Sequence, residues 1–87
     1  MNGNDTGALY AKSLTLLTSQ TYKEGANTID KAISLDDKNK EYPLLRGDLM
    51  MRLANYGQAI ASYDKAFALD GKNSDILSKK IVAEYKA

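Results

Sequence analysis

Two blocks of this chain, TYKEGANTIDKAISLD at residues 21–36 and NYGQAIASYDKAFALD at residues 55–70, align without a gap at one constant offset. They agree at Tyr22/Tyr56, Asp30/Asp64, Lys31/Lys65, Ala32/Ala66, Leu35/Leu69 and Asp36/Asp70. Self-similarity at a period of roughly 20–50 residues marks a supersecondary unit that stacks on copies of itself, because one unit cannot bury its apolar face alone. An 87-residue chain holds two such units and a short remainder. That count restricts the fold more than any other feature.

The pattern inside each unit is helical. Tyr22, Ala26, Ile29, Ala32 and Ile33 recur at steps of three and four, as do Tyr56, Ile60, Tyr63, Ala66 and Phe67. Leu9, Leu16 and Leu17 precede the first set, and Leu45, Leu49, Met50 and Leu53 the second. Leu77, Ile81 and Tyr85 follow at steps of four. Runs of β-branched residues are missing, and the single proline, Pro43, suits only a first helical turn. Five helices follow, near 6–19, 22–35, 41–53, 56–69 and 74–86. Thr21 with Glu24 has the spacing of a capping box, and Asn55 with Gln58 is its weaker counterpart. Gly71 is placed for a left-handed helix stop, and Asn73 for the next N-cap. Gly25, inside a helix, predicts a close backbone neighbour.

With these residues in place, the chain resembles the tetratricopeptide repeat (TPR) family, a helix-turn-helix unit of about 34 residues. In the second unit Gly47, Ala59 and Ala66 match the family's small residues, Tyr63 its large aromatic, and Tyr56 and Leu69 its flanking positions. Ser13, Gly25, Ile29, Ala32, Tyr22 and Leu35 take those roles in the first. Departures occur at Leu9 and Lys12, at Pro43 and Arg46, at Leu16 and Met50, and at Asp37 and Gly71. The resemblance implies an all-α fold: antiparallel helix pairs stacked as a short right-handed superhelical α-solenoid. Residues 1–6 would be a flexible lead or cloning remnant, 7–40 and 41–73 the repeats, and 74–87 a capping helix within one domain. Ile81 falls where a further close-packed helix would need a small residue, which favours the cap.

Composition excludes several functions. Twelve basic and eleven acidic side chains are interleaved, so no clustered cationic face points to nucleic acid. With no Cys and no His, the commonest thiol nucleophile, general base and zinc ligands are missing, and no metal or other cofactor is expected. Ser and Thr lack an activating neighbour, and NGNDTG lacks the remainder of a phosphate loop. The oxygen-rich DGKNSD at residues 70–75 departs from a calcium loop in ligand spacing and fits a helix stop followed by a cap. No apolar run approaches a membrane span, and the start does not resemble a signal peptide, so a soluble compartment such as the cytoplasm is expected, for this chain or for a longer protein containing it.

What the resemblance implies for activity is non-catalytic binding of a peptide or amphipathic helix in a concave groove lined by first helices. Carried over residue by residue, the groove takes Tyr10, Leu14, Leu17 and Thr18; Leu44, Asp48, Met51 and Arg52; and Ser78, Val82 and Tyr85. The Lys and Asn of the family's carboxylate-clamping subgroup are replaced by Tyr10, Leu14, Leu44 and Asp48, so that specificity is not expected. Apolar stripes at helical spacing also pack neighbouring helices, and Leu14, Leu17 and Met51 fit either role. The alternative is a segment of a longer array, or a self-associating unit whose groove is filled by its own chain or a second copy. Lys23, Lys31, Lys65 and Lys79 are expected to solvate helix surfaces.

Overall fold

The computed structural model describes residues 5–87, which form five helices: α1 (Thr6–Thr18), α2 (Tyr22–Leu35), α3 (Glu41–Arg52), α4 (Tyr56–Leu69) and α5 (Ser74–Lys86). Most of the expected lead at 1–6 lies outside the described residues, and α1 begins at Thr6, with Asp5 capping it through the Ala8 N–H at 3.2 Å. The fold is all-helical over the described residues. Each helix packs on the next in sequence, α1 also touches α3, and the body measures 41 × 27 × 16 Å.

The sequence spaces these helices by its turn chemistry. Both α1 and α3 end in a left-handed residue, Gln20 at φ 65° and Ala54 at φ 59°, again one repeat length apart. The Thr21 N–H donates to the Leu16 carbonyl at 2.8 Å, and the Asn55 N–H to that of Met50 at 2.9 Å. With the Gln20→Leu17 and Ala54→Met51 bonds, these are two Schellman turns that satisfy the last carbonyls of each helix. This arrangement displaces the capping box expected at Thr21 and Glu24. The Thr21 N–H is already used, and the Thr21 hydroxyl pairs with Ser19 Oγ at 3.0 Å instead of capping α2. Asn55 does cap α4, accepting from the Gln58 N–H at 3.4 Å.

The loops between units are alike in a second respect. Asn39 Oδ1 accepts from the Glu41 N–H at 3.0 Å, and Asn73 Oδ1 from the Asp75 N–H at 3.0 Å. Pro43 is accommodated in the first turn of α3, as its missing N–H requires. Gly71 does not adopt a positive φ, contrary to expectation; α4 ends at Leu69 and its C-cap is Asp70, whose φ is -145°. The Asp70 carboxylate accepts from Lys40 Nζ, tying the two inter-unit loops together, and from Asn73 Nδ2 at 3.4 Å. This ion pair holds the Asp70 carboxyl below its ordinary pKa and raises that of Lys40.

The core runs along the stack: Ala26, Ile29, Ala32, Tyr42, Leu45, Leu49, Met50, Ala59, Tyr63, Ala66, Ile76 and Ala83 are all buried. Gly47 of α3 lies under the Tyr63 ring of α4, and a Cβ there would fall 2.3 Å from Tyr63 Cε1. Gly25 is closely approached from both α1 and α3. A Cβ would come 2.9 Å from Leu49 Cδ2 and 3.3 Å from Leu16 Cβ, while its carbonyl accepts from the buried Ser13 hydroxyl at 3.0 Å.

Candidate functional site

The three odd-numbered helices carry every residue that the sequence nominates for binding. On α1 and α3, Tyr10, Leu17, Leu44 and Met51 are half-buried and pack on the core. Tyr10 lies tilted against Tyr42 with ring centroids 5.5 Å apart, and the Tyr42 hydroxyl is bonded to Thr6 Oγ1 at 3.0 Å. Leu14 on α1 and Val82 on α5 are more exposed, at 38% and 47%, and Tyr85 at 90% stands almost free of the fold. Thr18 and Arg52 are also exposed.

Between α3, α5 and the start of α4 lies a pocket of about 500 Å³. It brings together Asp48, Met51, Arg52 and Val82 from the nominated set, together with Ser78. Tyr10, Leu14, Leu17, Leu44 and Tyr85 are outside its lining, which Tyr56, Tyr63, Lys79 and Lys86 complete.

The floor of this pocket is held by one carboxylate. Asp48 Oδ1 accepts the Tyr63 hydroxyl at 2.6 Å and Lys79 Nζ at 3.2 Å, joining all three helices. Burial raises the Tyr63 pKa strongly, and the hydrogen bond and charge of Asp48 raise it further against a smaller opposing effect from Arg52. Tyr10 is raised in the same direction by burial and by the carboxylates of Glu41 and Asp48. Both phenols therefore stay protonated at neutral pH. Met51 and Val82 supply the apolar lining, and Arg52 and Lys86 stand at the C-terminal ends of α3 and α5.

Four of the lining residues, Tyr56, Tyr63, Lys79 and Lys86, were not legible as site residues. Tyr63 is spaced as a core filler, yet it lines the pocket and its hydroxyl donates to Asp48. Lys79 is exposed, as expected, and also forms an ion pair with Asp48 at the pocket. Lys86 repeats Arg52 one unit later, a periodicity that could have flagged it.

A second cleft of about 440 Å³, lined from α2, α3 and α4, surrounds Arg46. Its guanidinium donates to Asp30 Oδ1 at 2.6 Å, Ser62 Oγ at 2.7 Å and Gln58 Oε1 at 3.2 Å. Arg46 thereby bridges the two units with polar contacts, and these bonds occupy the groups that would otherwise face a ligand.

Among the described residues no helix is long and apolar enough to cross a membrane. No protein-family profile matches the chain. The chain is similar to the "Tetratricopeptide repeat and J domain-containing co-chaperone" of Cryptococcus neoformans, with 27% identity over 75 residues. That alignment spans 86% of this chain but 14% of the relative, so the chain corresponds to a small part of that protein's length.

Proposed function

We propose that this chain is a non-catalytic protein-interaction module of TPR type, with repeats at 7–40 and 41–73 and a closing helix at 74–87. It holds a peptide or an amphipathic helix against the face formed by α1, α3 and α5. The observation that carries this reading is the pocket between α3 and α5, where Asp48, Met51, Arg52 and Val82 meet around an open volume. Partly exposed Leu14 and fully projecting Tyr85 extend apolar surface to either side. Similarity to a TPR-containing co-chaperone supports a protein partner. Recognition of an apolar helix face by a helical groove uses anchors at helical spacing, which this surface can accept.

The test is affinity capture with the wild-type chain beside a Met51→Ala, Arg52→Ala, Val82→Ala triple variant that keeps its helical circular dichroism. Partners held by the wild type and lost by the variant are expected. Identical capture by both would remove these residues from the site.

A second reading, self-association or continuation of the array, is favoured by one observation. Leu77 and Ile81 on α5 are 40% and 55% exposed, on the register where α3 packs against α4. Sedimentation across a concentration series checks the self-association arm: a dimer that Ile81→Asp dissolves would support it, and a strict monomer at every concentration would end it.

A further inference from the structure

We infer that the segment seated in the α3–α5 pocket is an acidic amphipathic helix of a partner protein, with side-chain carboxylates held between Arg52 and Lys86. This rests on the reading of the α1–α3–α5 face as the binding face, and adds the charge of the occupant.

The argument is one of charge complementarity. Three cations, Arg52, Lys79 and Lys86, and one carboxylate, Asp48, line the pocket. That carboxylate is already engaged by the Tyr63 hydroxyl and by Lys79. Among the described residues the ion pairs are Lys40–Asp70, Arg46–Asp30, Lys79–Asp48 and Lys80–Asp64. Arg52 and Lys86 form none. They occupy equivalent places one repeat apart, in the last turns of α3 and α5, and both line the same pocket. The first unit has Thr18 at that register, so the unpaired charge is confined to the α3–α5 end. Toward α1 the face carries Tyr10, Leu14, Leu17 and Leu44 instead. A partner helix lying along it meets apolar surface at one end and, at the other, a cationic pocket whose apolar lining is Met51 and Val82. Apolar residues with Asp or Glu beside them satisfy both halves, whereas a basic helix would be repelled by Arg52 and Lys86.

Cations in a last helical turn also stabilise their own helix. The experiment separates the two roles. Fluorescein-labelled model helices sharing one leucine stripe, with flanking positions all Glu, all Gln or all Lys and the C-terminus amidated, are titrated with the full chain in an anisotropy assay. The Glu peptide is expected to bind about tenfold more tightly than the Gln peptide, the effect of one charge-assisted contact pair partly screened by solvent. That preference should shrink at high salt and vanish in Arg52→Gln/Lys86→Gln.

Equal binding of the Glu and Gln peptides, with both weakened by Met51→Ala/Val82→Ala, would overturn the charge assignment while leaving the binding face intact. Failure of every peptide to bind would overturn both. Binding of the Glu series only when the peptide ends in a free carboxylate would move the contact to a chain terminus and overturn the side-chain assignment. Loss of thermal stability in Arg52→Gln/Lys86→Gln with an unchanged Glu-over-Gln ratio would leave the two cations as helix-end charges alone.

Discussion

The Cβ that Gly47 lacks would lie 2.3 Å from Cε1 of Tyr63 and within 2.8 Å of two further ring atoms, so the helix pair α3–α4 closes only because that carbon is missing. One unit earlier the same two positions hold Ser13 and Ile29, both buried. A larger residue on the first helix accompanies a smaller one on the second, and the pair conserves volume between the units.

Gly47→Ala should therefore destabilise. Overpacking against a buried ring costs about 1–3 kcal/mol, and the better helix propensity of Ala offsets about 1 kcal/mol. A net loss of up to roughly 2 kcal/mol in urea unfolding is expected. Adding Tyr63→Leu should recover part of it, and additive losses would mean that the two positions do not collide. Gly57→Ala, with open space at its Cβ, serves as the control and should be neutral or mildly stabilising.

The left-handed Gln20 and Ala54 hold conformations that L residues adopt at some cost. Ala54→Gly and Gln20→Gly should each stabilise by about 0.5–1 kcal/mol, since relief of backbone strain outweighs the added freedom of the unfolded chain. Chemical denaturation of the single variants and of the pair measures this. A lower midpoint in both would count against the Schellman geometry.

Tyr63 sets a dependence on alkaline pH. Its native pKa lies well above the ordinary 10.0, so folding favours the protonated phenol. The stabilisation is complete below pH 10.0 and falls as the pH rises, because the unfolded chain releases the proton first. The loss attributable to this residue approaches about 1.4 kcal/mol per pH unit. Tyr63→Phe loses the Asp48 hydrogen bond and should be less stable at neutral pH by about 1 kcal/mol. The gap should close as the pH is raised from about 9 to about 11. A gap independent of pH would contradict the buried, Asp48-bonded phenol.

At the acid end the relevant pair is Lys40 with Asp70. The native Asp70 pKa is depressed, first by the Lys40 hydrogen bond, so its contribution is full above the unfolded value of 3.8 and disappears as the pH falls through the lower native one. Lys40 is raised and stays charged throughout that window. Asp70→Asn should thus lower the melting temperature at neutral pH and make little difference in strong acid. Both side chains are partly exposed, so added salt should reduce the effect as well. An Asp70→Asn penalty that persists unchanged in acid would rule the ion pair out as its cause.

Helix boundaries were legible because periodicity and punctuation agree: α2, α4 and α5 match their expected spans, and α1 and α3 each stop one residue early. The exits from α1 and α3 were not legible. Gln20 and Ala54 carry no left-handed preference of their own, and the turn geometry forces them there. The same turn consumed the Thr21 N–H, which is why the Thr21–Glu24 spacing misled. Gly25 and Gly47 were readable as places of close approach, although the neighbours at Gly25 include Leu49, from a helix outside its own pair, as well as Leu16 within it. At the candidate site, register brings Asp48, Met51, Arg52 and Val82 to one pocket. The length of Lys79 and the hydroxyl of Tyr63 decide what else reaches it, and a helical pattern does not encode reach.

Because each helix leans mainly on its immediate successor, little chain has to be closed into loops before contacts form. Low contact order of this kind belongs to domains that fold in microseconds to milliseconds. It also divides the stability unevenly. Helix α5 is anchored chiefly by Ile76 and Ala83 against α4, so its amides should exchange through local opening while those of α3, packed on both α2 and α4, wait for global unfolding. A partner bound between α3 and α5 would then slow exchange most in the helix that is loosest without it.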